Sequence, residues 1–145
     1  MDPTSIFGPL DLLYPHAAYV LLALVLFNAV TRWIGHRRHV RQNEEDGAEA
    51  VERFAPHTLS NVLLFLAAVY YTTVRLEAGA IVLFLVVGII ITDYFEFESR
   101  LAEARTDRSL ELPKGALAAW AVAAIYISYK SLRFIVDPLW GVIGA

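Results

Sequence analysis

AGAIVLFLVVGIIITDYFEF, residues 78–97, is the stretch whose reading decides the fold. From Ala78 through Thr92 it carries no charge and no proline. As an α-helix, twenty such residues extend about 30 Å, the hydrocarbon thickness of a bilayer. Apolar residues occur on every side of that helix, so no face is suited to water. Three further segments follow the same pattern. The expected fold is therefore an all-α membrane protein with four transmembrane helices, at about 17–34, 57–76, 79–97 and 114–136.

Composition agrees. The 145 residues are 57% hydrophobic with a mean hydropathy of +0.51, outside the usual soluble range, and once four spans are assigned no second folded domain fits. Residues 1–145 thus read as one transmembrane unit. Its parts are an interfacial segment at 1–16, connections at 35–56 and 98–113, and an interfacial tail at 137–145. With no cysteine, disulfides, thiolate metal sites and iron–sulfur ligation are excluded. A net charge of −3 argues against nucleic acid as a partner. The opening MDPTSIFGPLD is acidic and holds two prolines, unlike a cleavable signal, so the first helix is expected to remain as an anchor.

The connections set the orientation. One side holds Arg32, Arg37, Arg38, Arg41, Arg53, Arg100, Arg105, Arg108 and Lys114; the other holds Arg75, Lys130 and Arg133. The arginine-rich side is expected to be cytoplasmic, with both termini outside. Between the second and third spans only Arg75-Leu76-Glu77-Ala78-Gly79 is available, which requires an antiparallel hairpin with Gly79 as breaker or cap. Helix 1 is expected to continue past Arg41 and break near Gly47, with a short helix at 49–54 after it. On the fourth helix, Gly115, Ala119 and Ala123 recur every four residues, a small-residue face for close helix packing.

Few polar groups lie inside the spans. Asn28, Arg32, Asn61 and Asp93 fall at one level near the cytoplasmic boundary, with Thr31, Ser60 and Thr92 close by. Polar groups at that depth must face other helices or water. They allow a proton or ion site, or a quinone head-group pocket, with Asp93 as its acid. They equally allow a clamp in which Asp93 pairs with Arg32, and this structural alternative is preferred because no acid lies near the midplane. His36 and His57 end one helix and begin the next on the same side, where they could ligate haem b between them; interfacial anchoring is the plainer role. Glu96 and Arg100 stand at i,i+4 and are expected to pair. No Ser–His–acid set, phosphate loop, HExxH or dinucleotide glycine pattern occurs, so no metal site is assigned and an enzyme acting alone is not expected.

MDPTSIFGPLDLL, TRWIGHRRHVRQ after the first helix, TDYFEFESR after the third and PKGA before the fourth resemble a haloarchaeal family of small four-helix membrane proteins. Ten arginines against two lysines, with acidic connections, are similar to haloarchaeal usage. The resemblance implies genes beside those of a cytochrome bc-type complex with a Rieske protein, hence a respiratory setting, and transfers no site residues. The expected function is an accessory subunit of such an electron-transfer assembly, with other membrane subunits and lipid as partners. The alternatives are a small homo-oligomeric transporter or channel using Asp93, and a subunit that binds haem b or quinone together with a partner.

Overall fold

The computed structural model describes residues 16–47, 52–106, 114–133, 137–138 and 141–142. Among them are four α-helices: α1 (Ala17–Asp46), α2 (Ala55–Val74), α3 (Leu76–Arg105) and α4 (Lys114–Ser131). Each helix packs on two neighbours, α1 and α3 both lying against α2 and α4, which gives an up-and-down four-helix ring. Three helices, α1, α2 and α3, are long and apolar enough to cross a membrane.

Leu21 and Val25 of α1, Leu64 and Ala68 of α2, Val82, Val86 and Ile89 of α3, and Ala123 and Ile127 of α4 form the buried centre. These positions recur at three and four residues, one stripe per helix. The opposite faces are also apolar: Phe84 is 78% exposed and Ile125 71%, and Ile81, Val87 and Ile91 continue the outer side of α3. A bundle in water would carry polar residues there; apolar residues suit lipid. The chain is a membrane protein.

Several expectations need correction. Helix 1 does run on to Asp46, but residues 52–54 are not helical, so the short helix expected at 49–54 is not formed over them. Gly79 neither breaks nor caps a helix. It lies in the first turn of α3, and the chain reverses at the single non-helical residue Arg75 (φ −139°, ψ 104°). A methyl group on Gly79 would lie 2.2 Å from Thr72 Cα and 2.5 Å from Thr72 N, so glycine is required for α3 to leave alongside α2. Helices α2 and α3 accordingly start before the expected 57 and 79.

The small-residue face on α4 is displaced. Ala123 is fully buried, but Ala119 is only partly so and Gly115 is exposed, next to Glu96 Oε1. The buried face instead follows Ala116, Ala123 and Ile127, with Trp120 packed between them. The fourth helix, expected to reach 136, ends at Ser131 as α4, and Asp137 and Pro138 are helical beyond it. The expected interfacial segment at 1–15, the connection at 107–113, the helix end at 134–136 and most of the tail lie outside the described residues.

Candidate functional site

At the bundle end where α1 emerges and α2 begins, polar side chains come from three helices. Asn28, Thr31 and Arg32 stand at i, i+3 and i+4 on α1, one face of one turn. Pro56 near the start of α2 sets His57, Ser60 and Asn61 on the opposing face, and α3 supplies Asp93.

Asn28, Arg32, Asn61 and Asp93 close a ring. Asn28 Nδ2 donates to Asn61 Oδ1 at 2.7 Å, and Asn61 Nδ2 donates to Asp93 Oδ2 at 2.9 Å. Both terminal nitrogens of Arg32 donate to the two carboxylate oxygens of Asp93, and Nη2 also donates to Asn28 Oδ1 at 2.9 Å. Three further groups join it. Asn28 Nδ2 donates to Ser60 Oγ at 3.0 Å. His57 Nε2 lies 3.0 Å from Asp93 Oδ2, and its Nδ1 lies 2.8 Å from Thr31 Oγ1. Thr92 stays apart, its hydroxyl donating to the carbonyls of Gly88 and Ile89 on its own helix.

Asn28 and Ser60 are fully buried and Arg32 is 5% exposed, its Nε without a partner, while Asp93 and His57 keep 14% and 18% exposure at the edge. Formal charges cancel between Arg32 and Asp93, which is what lets an ion pair persist beside lipid. The two-pronged guanidinium–carboxylate geometry adds direction to that attraction. Because α1 and α3 are not adjacent in the ring of helices, the Arg32 side chain crosses the bundle diagonally. That contact ties α1 to α3, and Asn61 and His57 add α2.

Beyond the 17–34 span a second tie repeats the diagonal. Arg100 Nη1 of α3 donates to His39 Nδ1 at 2.9 Å, and His39 Nε2 donates to the Glu52 carbonyl at 2.7 Å. Burial, and next the Arg100 guanidinium, hold the His39 pKa down at about 4, so the ring is neutral and Nδ1 accepts. The expected Glu96–Arg100 pair gives way to this arrangement. Arg53 closes over the rings of Phe97 (4.3 Å) and Tyr94 (5.4 Å), and Arg38 over Phe54 (5.5 Å), pinning residues 52–54 to α1 and α3.

The two histidines weighed as haem ligands have separate surroundings. Both ring nitrogens of His57 are engaged in the network, whereas His36 is buried on α1 with Nδ1 unpartnered. Among the described residues, no group of three or more His, Cys, Asp or Glu side chains could hold a metal ion. Sequence reasoning did not anticipate Trp120, whose indole Nε1 donates to the Val25 carbonyl at 3.0 Å and fastens α4 to α1. An indole N–H in an apolar helix needs an acceptor, and that requirement was the available signal.

Fold and site together define an all-α membrane protein whose deep polar side chains bond chiefly to one another. The chain belongs to a family described as a domain of unknown function, DUF7313, whose model matches residues 2–144. No curated protein and no solved structure matches it.

Proposed function

We propose that this chain is an accessory, non-catalytic subunit of a multi-subunit membrane complex. The closed ring of Asn28, Arg32, Asn61 and Asp93 carries that reading. A site that performs chemistry leaves an acid, base or donor directed at a substrate; here the only deep acid accepts from Arg32, His57 and Asn61 together. Its work is to hold three helices in register so that the outer apolar faces meet partner helices and lipid.

In this reading α4 is the fourth span, the arginine-rich ends of α1 and α3 face the cytoplasm, and both termini lie outside. A respiratory, cytochrome bc-like assembly is the proposed setting, supported by the haloarchaeal resemblance of the boundary motifs. Extraction of the native membrane in mild detergent, followed by identification of co-migrating chains, tests the role. Stoichiometric redox subunits are expected; a chain that runs alone under conditions preserving other complexes overturns it.

A cleft of about 60 Å³, bordered by Asp93, Arg32, His57, Arg53 and Phe97, favours one alternative, a small homo-oligomeric transporter that uses Asp93. The Asp93→Asn variant separates the two. Lost assembly supports the clamp, while intact assembly with lost transport supports the transporter.

A further inference from the structure

The opposite end of the bundle is built differently. Where α1 begins and α2 and α4 end, a cavity of about 600 Å³ opens, lined by Tyr19, Tyr71, Arg75, Lys130, Arg133 and Asp137, with Ala17, Ala18 and Val74 at its apolar margin. Its size lies within the range of small-molecule sites. Among the described residues, three cations face one carboxylate there, and Arg133 is paired with it at 3.7 Å. Lys130 stands over Tyr126 and Tyr129 at 5.8 and 5.5 Å, held at the mouth.

Cations at the C-terminal ends of α2 and α4 also complement the helix dipoles, and that alone would account for Arg75 and Lys130. It does not account for Tyr71. This side chain is 3% exposed and lines the cavity, yet its hydroxyl makes no hydrogen bond to another described residue. The hydroxyl is not among the buried polar atoms left without a partner, so it opens onto the cavity, where it can donate to an occupant. An occupant must be small enough for the cavity, and the two arginines and the lysine around it favour an anion.

We propose that this cavity binds a phosphate group, that of an anionic lipid whose chains leave over Ala17, Ala18 and Val74. Arginine guanidinium offers paired donors to phosphate oxygens, lysine adds a point charge and the Tyr71 hydroxyl donates to a further oxygen. The cavity sits at helix ends, the level at which head groups lie when the helices span the bilayer. The proposal rests on the bundle crossing the membrane and is independent of the subunit role.

The test is thermal unfolding of the full chain in phosphatidylcholine nanodiscs with increasing phosphatidylglycerol, beside a series with inorganic phosphate in phosphatidylcholine alone. Phosphatidylglycerol is expected to raise the Tm saturably. The Arg75→Gln/Lys130→Gln double variant should need about tenfold more for the same shift, the scale of losing a charge-assisted hydrogen bond. Tyr71→Phe should weaken the response while leaving the Tm in pure phosphatidylcholine unchanged or higher, which shows that it folds. A saturable response to inorganic phosphate alone, lost in the same variants, keeps the phosphate site and assigns it to a soluble source. Equal Tm in both lipids, or variants that retain the full phosphatidylglycerol response, overturns the proposal.

Discussion

The two ends of this bundle solve the problem of polar groups in lipid in opposite ways. At the Asp93 end, a cation, an anion, two amides, two hydroxyls and an imidazole bond to each other beside a small cleft. At the Arg75 end, cations and phenols surround an open cavity onto which the Tyr71 hydroxyl faces. The first arrangement is closed by its own side chains except at the buried Arg32 Nε, which has no partner; the second faces an open cavity. Polar side chains in a membrane are therefore poor indicators of function until their partners are counted.

The largest effect should come from opening the closed end. Asp93→Ala leaves Arg32 buried without its counter-ion and should destabilise by about 3–5 kcal/mol, read by detergent unfolding. Gly79→Val attacks the other end, where the colliding atoms are backbone, and should cost about 3 kcal/mol or separate α2 from α3. A wild-type melting profile for Gly79→Val would mean that the helices need not approach so closely.

Acid should loosen the Asp93 end through His39. Its pKa in the fold, about 4, lies below the unfolded value near 6.5, so the unfolded chain binds more protons between those pH values. The stabilisation is complete above pH ~6.5 and lost as pH falls toward ~4, on the order of 2–3 kcal/mol in all. His39→Gln should flatten that slope in a series of melts, and an unchanged slope would point to another group. The smallest effect is expected midway along the bundle. Trp120→Phe keeps the ring but loses the bond to Val25, about 1 kcal/mol, with both ends unaltered in hydrogen exchange.

Much of this was legible in the chain. Asn28, Arg32, Asn61 and Asp93 interrupt otherwise apolar runs at equal depth, and lipid leaves such groups nowhere to turn except toward each other. The long apolar runs likewise announce the helices. Other features depend on angles that spacing alone does not carry. Gly115, Ala119 and Ala123 recur every four residues, and that stripe drifts about 40° per step around a helix of 3.6 residues per turn. By Gly115 it has left the face that Ala116 and Ile127 share. Gly79 carries two meanings in a sequence, helix end and close approach, and only the path of α2 beside it chooses the second. His57, next to Pro56, resembles a residue at a wet boundary. Its real place follows from Thr31 and Asp93, which belong to other helices. Arg100 had an acid at i−4, but His39, brought alongside by the long continuation of α1 and α3, takes its terminal nitrogen instead.

A double-mutant cycle on Arg32 and Asp93, using Arg32→Met, Asp93→Leu and both together, is the most direct test that the ring serves to fasten helices. Each single variant should lose several kcal/mol of unfolding free energy, and the double variant should recover most of it because no unpaired buried charge remains. Strictly additive losses would contradict the claim, showing that the two side chains act separately and that Asp93 is held there for something other than Arg32.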